Sequence, residues 1–185
     1  VEIEVEAAGL NFLDVLLALG FMPNDVGGDA SLVFGGECAG RIVGVGEGVE
    51  GLAVGEAVMG LAAGAFASHV TVPAMLVLPR PRGLSAIEAA ALPIAHLTAW
   101  YALEKVGRLQ AGERVLIHAA TGGVGLAAVR WAQHVGAEVY ATAGTAEKRA
   151  YLESLGVKYV SDSRSDRFVS DVRGWTGGEG VDVVL

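Results

Sequence analysis

Apolar and acidic positions alternate with a period of two in Val1-Glu-Ile-Glu-Val-Glu-Ala-Ala8, which predicts a half-buried strand. The period then lengthens: Phe12, Val15, Leu16 and Leu19 share one helical face, and Gly20 closes a helix predicted over 11–19. Residues 21–32 read as a polar, glycine-bearing loop. Short apolar runs follow at 38–45, 56–61, 67–72 and 76–78, separated by turns such as Gly46-Glu-Gly-Val-Glu-Gly51, the spacing of a small barrel or sandwich. Ser85 and Glu88 form the two ends of a capping box that opens a helix. Pro93 breaks that pattern, and residues 97–106 resume it.

Beyond Gln110 the pattern becomes strand and helix in alternation. Strands are predicted at 114–118, 138–142, 159–161 and from 181, with helices at 124–134, 146–155 and 166–175. Such alternation implies parallel strands joined by right-handed crossovers. The expected architecture is α/β. A mostly β, barrel-like and incomplete part covers 1–91, and a partial doubly wound (Rossmann) sheet, truncated after its fourth strand, covers 92–185.

Composition narrows the function classes. A chain of 185 residues with 52% hydrophobic and 18% charged residues buries a core and is not disordered. Its most apolar stretch, 86–103, is interrupted by Glu88, Pro93, His96 and Thr98, so no membrane span is expected, and no export signal opens the chain. A formal charge of −8 without a basic stripe argues against nucleic-acid binding. The single cysteine, Cys38, forms no internal disulfide and fits a cytoplasmic location. The histidines at 69, 96, 118 and 134 lack metal-ligand spacing, so no metal is expected, and no Gly-x-Ser-x-Gly elbow occurs. The chain opens without Met and stops inside Val181-Asp-Val-Val-Leu185, which reads as a segment of something longer.

The chemistry centres on Val115-Leu-Ile-His-Ala-Ala-Thr-Gly-Gly-Val-Gly125, a strand that runs into glycines and restarts as a helix. That arrangement leaves helix N–H groups free at the sheet's carboxyl edge, where they and the helix dipole favour a phosphate. Laid over Gly-x-Gly-x-x-Gly, Ala120 replaces the first glycine, Gly122 takes the close-approach position and Gly125 the helix-packing position. An enzyme that uses the unphosphorylated dinucleotide places Asp or Glu at the tip of the next strand. Here the tip reads Thr142-Ala-Gly144, and Thr145 and Lys148 beyond it offer donors to a 2′-phosphate, which points to NADPH. The competing reading makes Thr145 a helix cap and Lys148 a solvated side chain.

Val5-Glu-Ala-Ala-Gly-Leu-Asn-Phe-Leu-Asp-Val-Leu-Leu-Ala-Leu-Gly20 resembles the opening of the medium-chain dehydrogenase/reductase superfamily in its zinc-independent, quinone-reductase-like branch. Gly36-Glu-Cys-Ala-Gly40 with Val45-Gly-Glu-Gly-Val49, Leu97-Thr-Ala-Trp-Tyr-Ala-Leu103, the glycine turn and Ala141-Thr-Ala-Gly-Thr-Ala-Glu-Lys-Arg149 follow in the family's order. Val58-Met-Gly-Leu61, Gly64-Ala-Phe-Ala67, Ser161-Asp-Ser-Arg-Ser165 and Thr176-Gly-Gly-Glu-Gly-Val-Asp-Val-Val-Leu185 are similar to the enoyl-reductase domains of polyketide synthases and animal-type fatty acid synthase.

The resemblance implies a barrel-like (GroES-like) substrate domain, a nucleotide domain and an active site in the cleft between them. It also implies NADPH-dependent reduction of the α,β double bond of an enoyl thioester tethered to an acyl carrier protein. Hydride would go to the β-carbon and a proton to the α-carbon. Neighbouring synthase domains, and homodimerisation through the parent synthase, are the implied partners. Carried over by position, Asn11 and Asp14 lie near the nicotinamide end, Thr98 and Tyr101 line the cofactor's cleft, and Gly123 and Val124 meet the pyrophosphate. Thr142, Thr145, Lys148, Ser163 and Arg164 surround the adenosine phosphate. Each has a plainer alternative: Asn11 as a helix N-cap, Tyr101 as packing, Ser163 and Arg164 as a strand terminus.

Related synthase domains often carry Tyr shortly after Gly20, where this chain reads Phe21-Met22-Pro23, so a tyrosine proton donor is not assumed and the stereochemistry at the α-carbon is not predicted. His96 stands where relatives often place an aromatic or apolar residue, and is either a local donor or packing. Two alternative functions stay open: a stand-alone NADPH-dependent quinone or enone reductase, and a cofactor-binding fragment that does not turn over.

Overall fold

The computed structural model describes residues 1–21 and 33–185, so nearly all of the loop predicted at 21–32, with Met22 and Pro23, lies outside the described residues. The chain forms two compact units, Val1–Ile94 and Ala95–Leu185.

In the first unit, β1 (Glu2–Ala8), β2 (Glu37–Gly44), β3 (Ala57–Leu61), β4 (His69–Thr71) and β5 (Val77–Pro79) form one sheet of order β4-β1-β2-β3-β5. Every pairing in it is antiparallel. The period-two pattern of β1 sets the register: Ile3 pairs with Ile42, and both are buried with Cys38, Val58 and Val70. On the outside, Glu6 of β1 holds Arg41 at 3.1 Å and Arg80 at 2.9 Å. Helix α1 (Phe12–Ala18) follows β1, and α2 (Ala86–Ala90) packs Ala89 and Ala90 against Ala39. Ser85 caps α2 as its sequence predicts: its hydroxyl accepts from the Glu88 N–H at 3.2 Å, while the Glu88 carboxylate accepts from the Ser85 N–H at 2.8 Å.

Pro93 does not interrupt a helix but opens one, α3 (Pro93–Trp100). The first position of a helix has no intrahelical acceptor for its N–H, so a residue lacking that N–H is accommodated there. Residues Tyr101–Val106 continue α3 as a wider π-helical turn, with the Gly107 N–H reaching back five residues to the Ala102 carbonyl at 2.7 Å.

In the second unit, β6 (Arg114–Ile117), β7 (Glu138–Ala143), β8 (Tyr159–Asp162) and β9 (Val183–Val184) form a parallel sheet of order β8-β7-β6-β9. Helices α4 (Gly123–Val135), α5 (Ala146–Ser154) and α6 (Arg167–Trp175) connect the strands. Val115, Ile117, Val129, Ala132, Ala141 and Leu152 form one buried cluster with α4 and α5. Leu116, Tyr140 and Val172 form another with α6, where Tyr140 and Tyr159 stack at 4.7 Å. Side chains alternate between these two clusters along β6 and β7, which is the doubly wound arrangement the strand–helix alternation predicts. Gly136 ends α4 at φ 85°, a left-handed value that a β-carbon disfavours.

Candidate functional site

At the carboxyl edge of β6 the chain makes a tight turn before α4. Ala119 sits at φ 47°, and the Gly122 N–H donates to its carbonyl at 2.8 Å. The first bond of α4 runs from the Leu126 N–H to the Gly122 carbonyl, which leaves the N–H groups of Gly123, Val124 and Gly125 without acceptors in their own helix. The glycines differ in purpose. A β-carbon at Gly125 would fall 2.5 Å from the Ala119 carbonyl oxygen and 2.7 Å from the Ala120 Cα, so glycine here lets helix and turn pack. At Gly123 the nearest atom to such a carbon is the Ala95 Cβ at 3.8 Å, so this exposed glycine meets no close packing. Ala120, in place of the motif's first glycine, is fully buried, and its N–H donates to the Thr142 carbonyl at 3.1 Å.

The tip of β7 gathers cations from two other segments. The Arg164 guanidinium lies against Gly144, its Nε 2.8 Å from where a β-carbon would stand, and so covers the position at which an acidic side chain would project. Lys148 and Ser163 are exposed on the segments that flank this tip. Arg149, the last residue of the Ala141–Arg149 motif and given no role there, donates to the Ala143 carbonyl at 3.1 Å and lies 3.7 Å from Asp162. Asp162 also accepts from the Arg164 N–H at 2.8 Å, which fixes the turn that carries Arg164 and Ser163. Two expected phosphate donors are otherwise engaged. Thr142 is fully buried, with its hydroxyl 3.0 Å from His118 Nδ1. Thr145 caps α5, accepting from the Lys148 N–H at 3.3 Å. The Glu147 carboxyl is held below its usual range by its own backbone N–H and by the Thr145 hydroxyl. The plainer reading of Thr145 as a cap therefore describes its geometry.

In the first unit, Asn11 is the N-cap of α1 and pairs with Asp14 in a capping box. The Asn11 Nδ2 donates to Glu37 Oε1 at 2.8 Å. Asp14, buried at 5% exposure, accepts with its two carboxylate oxygens from the backbone N–H groups of Asn11 and Gly35, both at 2.8 Å. Both oxygens of Asp14 are thus committed to backbone. Glu37, 3% exposed at the start of β2, accepts from the Ile94 N–H with its other oxygen at 2.7 Å. Asn11 and Asp14 line a cavity of about 540 Å³ whose walls include Leu13, Leu17, Leu61 and Leu76.

The remaining predicted residues lie on α3 and the turn after it. His96, Thr98 and Tyr101 are exposed, and Thr98 and Tyr101 border a shallow apolar hollow with Leu97, Trp100 and Val106. Glu37 and Arg149 escape a reading of the sequence for different causes. Glu37 carries a weak signal in the apolar company of its motif, Gly36-Glu-Cys-Ala-Gly40, whereas nothing local separates Arg149 from any helical surface arginine.

Comparison with known proteins follows the same division. An alcohol dehydrogenase GroES-like domain family matches residues 1–82, and a zinc-binding dehydrogenase family matches 123–185. The described residues do not offer zinc a ligand set: no three His, Cys, Asp or Glu side chains among them converge, and Cys38 is buried. The chain is 51% identical over 185 residues to a phenolphthiocerol/phthiocerol polyketide synthase of Mycobacterium tuberculosis, covering all of this chain and 8% of that protein. It superposes on the CurK enoyl reductase with a TM-score of 0.96 and 47% identity, over 100% of this chain and 57% of the other. Mycobacterial Rv1454c, solved in complex with NADPH, matches with a TM-score of 0.89 and 37% identity, over 99% and 57%. The chain thus spans a small part of its curated relatives and little more than half of the solved domains. With both dehydrogenase families matched in order and the fold shared along the whole chain, it belongs to the medium-chain dehydrogenase/reductase superfamily, alongside the enoyl reductases of polyketide synthases.

Proposed function

We propose that this chain is the greater part of an NADPH-dependent enoyl reductase domain that reduces the α,β double bond of a thioester carried on an acyl carrier protein within a polyketide synthase. The likeness along the full chain to a polyketide synthase and to an enoyl reductase carries this reading. The cofactor assignment is supported by the cations at the β7 tip and by the solved relative that holds NADPH.

The residues present fit such a cofactor. Free N–H groups at Gly123, Val124 and Gly125, with the α4 dipole behind them, suit the pyrophosphate, and Gly123 leaves room for close approach. Arg164 and Lys148 suit the 2′-phosphate, assisted by Ser163, while Arg149 offsets the charge of Asp162. When bound, the reduced nicotinamide supplies hydride for the β-carbon. The largely apolar walls of the cavity beside Asn11 suit an acyl chain. With one Nδ2 hydrogen held by Glu37, Asn11 has a second amide hydrogen to offer where negative charge grows on the thioester oxygen.

The test is to incubate the intact protein with NADPH and either a crotonyl thioester or a small quinone. Loss of NADPH absorbance with formation of the saturated thioester is expected. Turnover of quinone alone would favour a stand-alone reductase, and failure to bind cofactor would favour a non-catalytic remnant.

A further inference from the structure

Glu37 is an acidic side chain at 3% exposure with both oxygens occupied, and the proposed chemistry assigns it no task. Its place is built deliberately into the fold. A β-carbon on Gly9 would overlap Glu37 Oε1, lie 2.6 Å from its Cγ and lie 2.7 Å from the Ala90 carbonyl, so only glycine at position 9 leaves room for the carboxylate. The Gly9 N–H in turn donates to the Glu37 carbonyl at 3.1 Å, fixing the backbone from which the side chain extends. Oε2 takes the Ile94 N–H at 2.7 Å, and Oε1 takes Asn11 Nδ2 at 2.8 Å.

A carboxylate facing an amide side chain settles which way that amide points. An ionised carboxylate only accepts hydrogen bonds, so the nitrogen of Asn11 must face Glu37 and its carbonyl oxygen must face away. Asn11 also borders the 540 Å³ cavity, whereas Glu37 is absent from that lining. From this geometry we infer that Glu37 is a positioning residue: it locks the amide orientation of Asn11 so that the remaining N–H of Nδ2 is available to whatever fills the cavity. The inference rests on the enoyl-reductase reading for the identity of that occupant, and on hydrogen-bond geometry alone for the lock.

The lock is tested in the intact protein with Glu37→Gln, Asn11→Ala and the pair combined. Glu37→Gln keeps size and shape but supplies only one acceptor oxygen, so a donor meets either Asn11 Nδ2 or the Ile94 N–H. With crotonyl thioester, Glu37→Gln is expected to lower kcat roughly ten- to hundredfold, the scale of a misplaced group, with KM for NADPH unchanged. In the Asn11→Ala background the same substitution should cost less than about threefold, because nothing remains to orient. Equal losses in both backgrounds would overturn the inference, as would full kcat in Glu37→Gln. Stability gives a second reading that needs no turnover. Glu37→Gln should lower the melting temperature more when Asn11 is present than when it is alanine, and equal shifts would again overturn the lock. A wild-type protein inactive on the thioester would sink the enoyl-reductase reading while leaving the melting cycle to decide the role of Glu37.

Discussion

Replacing Gly144 with aspartate should convert the nucleotide preference. In the native structure Arg164 Nε is 2.8 Å from the position a β-carbon would take, and a flexible guanidinium can move by the few tenths of an ångström needed. The new carboxylate would then pair with Arg164 and stand where a 2′-phosphate is proposed to bind. Two unit charges about 4 Å apart interact by about 1 kcal/mol in water and about 4 kcal/mol at an effective dielectric near 20. Gly144 is half-buried whereas Lys148 and Arg164 are exposed, so a value of about 2 kcal/mol is reasonable, or about thirtyfold in Kd for NADPH. NADH lacks the phosphate, and its ribose hydroxyls gain an acceptor, so its affinity should hold or rise. Titrations followed by nicotinamide fluorescence measure both constants on one preparation. Equal losses for NADPH and NADH would refute the assignment of this tip to the phosphate. Lys148→Glu should move the two constants in the same sense.

The glycine turn and two buried groups give further tests. Gly125→Ala should lower stability by about 1–3 kcal/mol through overpacking, seen as an earlier thermal melt, whereas Gly123→Ala should melt normally and lose cofactor fluorescence quenching. Burial first, then the hydrogen bond and charge of Glu138, push the Tyr140 hydroxyl up from the ordinary 10 to about 12. Because the folded-state value is the higher, this contribution to stability is complete below about pH 10 and is lost as pH rises toward 12. Denaturant titrations should show that loss in the native protein and a flatter profile in Tyr140→Phe. Burial, and secondarily the neighbouring Glu37 charge, push the Cys38 thiol up, so a disulfide reagent at about pH 8 should find no fast thiol in the folded protein and one after unfolding.

The elements legible in the sequence are those whose signal is local. The alternation of β1 gives both its strand and its buried face at Ile3, and the Ser85–Glu88 box marks a helix start to the residue. The Gly125 position is legible because helix–turn packing depends on nearby backbone alone. Pro93 is ambiguous in sequence, since the same residue that breaks a helix interior opens a helix at its first position. The β7 tip is half legible: the lack of an acid at Thr142 to Gly144 can be read directly, but Arg164 reaches Gly144 only because β8 pairs in parallel with β7 and ends beside it. Thr142 and Thr145 read as donors until the fold supplies His118 to one and a helix terminus to the other. Glu37 is the extreme case. Its acceptor role needs Gly9, Asn11 and Ile94 together, and these lie 28, 26 and 57 residues away along the chain.

The π-helical turn at Tyr101–Val106 carries a consequence for the length of the chain. A π turn is an α-helix with a residue inserted, and each residue added or removed rotates everything beyond it by about 100°. Leu103 within the turn and Leu109 just after it are both buried, while Val106 between them is exposed. The buried places of Leu103 and Leu109 are set with the wider turn in place, so deleting Ala102, Glu104 or Lys105 would change the spacing that seats them. A single-residue deletion here should be more disruptive than most substitutions at the same positions, so this segment would tolerate a change of side chain far better than a change of count.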